Sequence, residues 1–135
     1  WKVTLPNTFF GDFFGAEYLM AWIGAALLNP ELKFYAYTKN LPLFVGLDLP
    51  ENFYLTASHG GKFDHLLRHF RRVAYVVKTY QEAADRGLEV DHDDSHCFGD
   101  APFALLVHGK QKAGSEWSKA ITARRKAGQF TGYGR

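Results

Sequence analysis

Five strand-length runs of aromatic and β-branched residues punctuate the chain, at residues 8–10, 33–38 (KFYAYT), 53–57 (FYLTA), 73–79 (VAYVVKT) and 103–108 (FALLVH). Each is nearly continuously apolar rather than alternating, the pattern of strands buried on both faces of a parallel sheet. Between these runs the hydrophobic period lengthens. Residues 16–28 carry Leu19, Trp22, Ile23, Ala26 and Leu27 at helical spacing and stop at Asn29-Pro30, which predicts a helix with one apolar stripe. Residues 62–71 set Phe63, Leu66, Leu67 and Phe70 on one helical face, and residues 80–86 form a short helix that stops at Gly87. Residues 115–127 begin on an N-cap serine, place Trp117, Ala120 and Ile121 on one side, and end at Gly128. The stretch 41–49 has room for two turns at most. Strand and helix thus alternate about five times, predicting an α/β fold with a mostly parallel sheet of about five β/α units and right-handed crossovers. A complete eight-unit barrel takes on the order of 250 residues, so a chain of 135 predicts a partial (β/α) barrel.

Composition narrows this picture without redirecting it. The length fits one core, expected over residues 1–127, with the glycine-rich end 128–135 (GQFTGYGR) as a flexible tail. Twelve phenylalanines within an aromatic content of 16% require buried sites. Sixteen basic against 14 acidic residues leave a net charge of +2, so no global field points to nucleic acid or an anionic membrane, and either would need a local patch. The single cysteine excludes a disulfide framework and any zinc or iron–sulfur site built from several cysteines of this chain. The longest apolar run, within residues 18–28, is too short to span a bilayer, and no signal-peptide pattern precedes it. These features predict a cytoplasmic protein. The chain opens on Trp1 in a strand-like WKVTL, as a fragment or a processed form would.

Candidate chemistry follows from the strand pattern. In parallel β/α architectures the ligand-facing groups lie just past the carboxyl ends of the strands. Here those positions hold Asp12, then Thr38 and Lys39, then Ser58, His59, Gly60 and Gly61, then Lys78 and Thr79, and finally His108, Gly109 and Lys110. Asp12, Lys39, His59 and His108 are the candidate catalytic residues. Ser58, Gly60, Gly61, Lys78, Thr79 and Asp94 are the candidate ligand-binding residues. The competing reading is that strands must end at the surface, where polar side chains belong. SHGGKFD (58–64) is the sharper signal: two glycines allow close backbone approach, and the amides opening the next helix would attract an anion. It lacks P-loop spacing, and a plain glycine-hinged turn reads equally well. Ser115 in AGS reads as a helix cap, and His65 and His69, four apart, as a solvated helix face.

DHDDSHCF (91–98) packs three Asp, two His and the lone Cys97 into eight residues. It lacks the DxDxDG pattern that calcium loops use. A site made of His92, His96 and an aspartate would suit a transition metal, but a solvated loop, with Asp94 hydrogen-bonded to backbone or a neighbouring strand end, is the preferred reading, and no metal ligand is assigned.

Taken in order, GDFFGAEYLMAW, PELKFYAYTKNL, LPENFYLTASHGG, VAYVVKT and FALLVHGKQKAGS, from Asp12 to Ser115 or so, resemble the phage family known as gene product eighty-eight. The resemblance implies a truncated scaffold akin to the radical S-adenosylmethionine proteins, with a host-cell cytoplasmic location. That group carries an iron–sulfur cluster on a CxxxCxxC motif near its first strand, whereas this chain has Cys97 alone. S-adenosylmethionine and an iron–sulfur cluster therefore enter only if a cysteine-bearing segment lies upstream, and no cofactor is expected in this chain. Of the family's parts, Gly60-Gly61 alone resembles the glycine-rich methionine-binding loop, one strand further along. Two functions follow. One is an enzyme-like fragment whose strand rim binds a small anionic or nucleotide-like ligand. The other is a non-catalytic assembly protein whose open barrel is completed by self-association, an upstream segment or a partner.

Overall fold

The computed structural model describes residues 2–4 and 13–132. Within them the chain forms a strand β1 (Lys2–Thr4), helix α1 (Ala16–Leu28), strands β2 (Lys33–Thr38), β3 (Phe53–Ser58) and β4 (Val73–Val77), helix α2 (Tyr80–Asp85), strand β5 (Phe103–Leu106) and helix α3 (Glu116–Lys126). The strands lie side by side in chain order, and every pairing is parallel. Four of them, β2 to β5, coincide with the apolar runs seen in the sequence. The run at 8–10 and Asp12 lie outside the described residues. Among the described residues the sheet is open, with β1 and β5 as its outer strands.

Register divides the side chains between two faces. On one face Phe34 and Ala36 pair with Phe53 and Leu55 and pack under α1 through Leu19, Ile23 and Ala26. Val77, Ala104 and Leu106 continue that face against Ala83 of α2. The other face carries Tyr35, Tyr37, Tyr54 and Thr56. It is concave: β2 and β5 stand three strand spacings apart, about 14 Å in a flat sheet, yet the rings of Tyr37 and Phe103 meet at 6.4 Å.

Two connections depart from the expected β/α units. Residues 41–49 contain only the 3-10 turn Leu41–Leu43, and the expected α-helix at 62–71 is a 3-10 helix, Asp64–His69. The i, i+3 spacing of Phe63 with Leu66 and of Leu67 with Phe70 suits either helix type, because residues three apart eclipse in a 3-10 turn. The tighter winding separates His65 from His69 by about a third of a turn, so they share no face. In α1, Leu19, Ile23 and Ala26 are buried, but Leu27, expected on the same stripe, is 65% exposed. Beyond α3, Gly128 takes φ 67° and ends the helix as expected, after which Phe130 packs onto the β4–β5 cluster and its carbonyl accepts from Arg124 Nη1.

Candidate functional site

The carboxyl ends of four strands open into one cleft of about 610 Å³. Lys39 enters it directly after β2, His59 and Gly60 after β3, Lys78 after β4 and His108 after β5. Val76 and Val107 form an apolar floor, and α2 and α3 add Glu82, Arg86 and Trp117. Five of the residues expected at a ligand-binding rim are thereby brought together.

Among the described residues, basic side chains outnumber acidic ones in the cleft lining. Glu82 is its one carboxylate among the described residues, and both of its oxygens are engaged: Oε1 with Arg86 Nη2 at 2.7 Å, and Oε2 accepting from the Lys78 backbone N–H at 2.8 Å. Lys39, Lys78 and Arg86 are the permanent cations. Lys78 Nζ lies 5.4 Å from the centroid of the Trp117 ring, a cation–π contact that holds ammonium and indole on the same wall. The Lys39 stem packs on the glycine turn. A Cβ added to Gly61 would stand 3.3 Å from Lys39 Cβ, and Gly60 takes φ 98°, which L side chains rarely adopt. Those glycines therefore position a lysine. His108 Nδ1 lies 3.1 Å from the Leu106 carbonyl oxygen, and His59 Nε2 lies 3.5 Å from Asp64 Oδ2.

The remaining expected residues are placed otherwise. The Gly60 and Gly61 amides donate to the Asp64 carboxylate, at 3.1 and 2.9 Å. The anion that this turn attracts is the chain's own side chain, four residues on. Thr79 caps α2 by accepting from the Glu82 N–H. Ser58, Gly61, Thr79 and Asp94 do not line the cleft. Asp12 lies outside the described residues.

DHDDSHCF lies across the concave face. Its 3-10 turn Ser95–Phe98 drives Phe98 between Tyr35 and Tyr54, with centroids at 5.4 and 4.9 Å. Asp94, at φ 63°, accepts from the Tyr37 hydroxyl at 3.0 Å and the Tyr35 hydroxyl at 3.4 Å. Burial first, then the charge and hydrogen bond of Asp94, push the Tyr37 hydroxyl far above its ordinary pKa. His96 bridges the fully buried Asp91 at 3.1 Å and Glu89 at 3.0 Å. Partial burial opposes its charge, but the two carboxylate hydrogen bonds outweigh that and raise its pKa. Among the described residues no group of three His, Cys, Asp or Glu converges where an ion could be held. Asp94 anchors the loop to the sheet, while the Asp91 and Asp93 carboxylates bond within the loop. Just before it, Val90 bridges Ala104 in parallel on the outer edge of β5, through Ala104 N–H to Glu89 O at 2.7 Å and Asp91 N–H to Ala104 O at 2.9 Å.

Sequence reasoning missed Arg86 and Trp117. Arg86 sits i+4 from Glu82, a readable helix pair, but nothing local to either residue says that it faces the strand ends.

Neither a curated protein nor a solved structure matches the chain. The family model described as Gene product 88 matches residues 9–129. That match covers nearly all of the α/β domain, cleft included, and the chain belongs to the Gene product 88 family, the phage family that its strand and turn motifs resemble.

Proposed function

We propose that the cleft at the strand ends binds a small anionic, nucleotide-like ligand. The observation that carries this reading is the lining of one cleft: among the described residues Lys39, Lys78 and the Glu82–Arg86 ion pair face it, so basic side chains outnumber acidic ones. Charged groups lining a concave site act on a ligand more strongly than the same groups dispersed over a surface, because the low-dielectric walls focus their field. An apolar floor and the Trp117 ring suit a ligand that is flat at one end and charged at the other. For a bound molecule that is also turned over, His59 and His108 are the residues of the cleft suited to moving a proton.

The curl, the parallel order and the open edges also support a partial barrel scaffold. The residues present do not fit the iron–sulfur centre that the radical S-adenosylmethionine resemblance implies, because Cys97 is the only thiol of the chain and is fully buried. The sulfonium of S-adenosylmethionine would itself enter a cleft whose described lining is mostly basic.

Isothermal titration with inorganic phosphate, AMP and ADP tests the proposal. Binding should strengthen with ligand charge and weaken at least tenfold in K39A/K78A. Absence of heat with all three, or an unchanged affinity in the double variant, rejects it.

The assembly reading has its own support. Helix α1 leaves Met20 57%, Leu27 65% and Leu28 83% exposed, with Phe14 at 82% just before it. These positions recur at i, i+7 and i+8, one stripe of the helix. Such a face suits self-association through a second copy.

A further inference from the structure

A second cavity, of about 300 Å³, opens toward the amino ends of β3 and β4 and shares no lining residue with the cleft. Both crossovers flanking β3 hold only 3-10 turns. Phe53 and Leu55 at the start of that strand are therefore covered by loop residues, Phe44, Leu47 and Leu49 before β3 and Phe70 before β4, and this cover leaves a gap. Its polar lining is His69, Arg71 and Arg72 against one carboxylate, Asp100. His69 and Arg71 are exposed, and neither side chain makes a hydrogen bond or ion pair among the described residues. Arg72 is held firmly: Nε donates to the Gly99 carbonyl at 2.6 Å and Nη1 to the Leu55 carbonyl at 2.9 Å. Its Nη2 meets only Asp100 Oδ1, at 3.7 Å, too far for a hydrogen bond. The Asp100 side chain is 88% exposed, so solvent screens it and an incoming anion can take its place. Burial lowers the Arg72 pKa, and Asp100 offsets that only in part.

Guanidinium and apolar wall together select the ligand. Inorganic phosphate would answer Nη2 but leave Leu47, Leu49 and Phe70 facing water, and an alcohol would cover those side chains while leaving the cation without a counter-charge. A nucleotide needs more room, since this cavity stands at the lower limit of ligand pockets, about 300–1,000 Å³. We infer that the cavity binds a small organic carboxylate with a short apolar chain, its oxygens on Arg72 Nη2 and Arg71 and its chain against Leu47, Leu49 and Phe70. A planar carboxylate matches the fork of a guanidinium that is already fixed in place. His69 stands at the same cavity as a further donor. The site is independent of the cleft and of what the cleft binds.

Amide-resolved NMR titration of the full chain with hexanoate, acetate, hexanol and inorganic phosphate tests this. Hexanoate should give saturable shifts at residues 44–49, 53–55 and 69–72 while Lys39, Lys78 and Trp117 stay unmoved. Its affinity should exceed that of each of the other three probes at least tenfold. The variant H69Q/R71Q changes two exposed side chains that bond to nothing else described, and should weaken hexanoate at least fivefold at an unchanged thermal midpoint. R72K should weaken it further; because Arg72 also ties Leu55 to Gly99, the exposed double variant decides if R72K fails to fold. No saturable shift, shifts centred on the cleft, hexanol or phosphate binding as well as hexanoate, or an unchanged affinity in H69Q/R71Q would each overturn the inference, and none of these outcomes touches the cleft reading.

Discussion

At the level of single residues, the 91–98 loop shows why dense ligand-type side chains need not make a ligand site. Asp94 holds φ 63°, a conformation that asparagine and aspartate tolerate better than other non-glycine residues, and it satisfies two tyrosine hydroxyls. Asp94→Asn keeps an acceptor and the backbone preference and should cost under about 1 kcal/mol in urea unfolding. Asp94→Ala removes both and should cost about 1–3 kcal/mol. Equal losses would show that the tyrosine contact contributes nothing. His96 gives a pH signature of opposite sense to acid denaturation. Its folded-state pKa is raised, so its stabilising effect is complete below the unfolded-state value of about 6.5 and is lost as pH rises through the folded-state value above it. Thermal midpoints followed upward from about pH 5.5 should decline across that window in the wild type. His96→Gln should remove that part of the slope; an unchanged slope would assign the titration elsewhere.

Among the elements, α1 and β2 are joined by one side chain that the apolar pattern cannot reveal. Asn52 Nδ2 approaches the carbonyl oxygens of Ala26, Asn29 and Leu32 at 2.9–3.0 Å, so its two hydrogens serve the open carbonyl end of α1 and the turn into β2. Asn52→Ala should destabilise by about 2 kcal/mol, two hydrogen bonds at about 1 kcal/mol each, read as a lower urea midpoint at unchanged slope. Asn52→Asp should cost at least as much, because a carboxylate cannot donate to carbonyls. The outer face of α1 makes the complementary prediction. If Met20 and Leu28 mediate self-association, light scattering of the wild type should give a mass above that of one chain that rises with concentration, and M20K/L28K should be monomeric with an undiminished thermal midpoint. A monomeric wild type at high concentration removes the assembly reading.

For the molecule as a whole, the legible part was the part written locally. Nearly continuous apolar runs marked β2 to β5 as buried parallel strands, and Asn29-Pro30, Ser115 and Gly128 marked helix limits that the structure reproduces. Parallel order follows once each run is followed by a crossover too long for a hairpin. Less legible was the winding between β3 and β4, since Phe63, Leu66, Leu67 and Phe70 fit an α-helix and a 3-10 turn equally.

The sequence by itself determined which residues end each strand, and therefore that Lys39, His59, Lys78 and His108 would stand at one rim, because chain direction is common to all strands of a parallel sheet. Tertiary structure alone decided the rest. The curl of the sheet brought those ends around one cleft, and α2 and α3 supplied Arg86 and Trp117 to it from residues with no sequence link to the strand ends. Asp64 took the glycine-turn amides, and Tyr35 and Tyr37 drew Asp94 onto the concave face instead. Those choices depend on which side chains reach one another across non-adjacent strands and loops, a matter of distances in space that residue order and hydrophobic period do not encode.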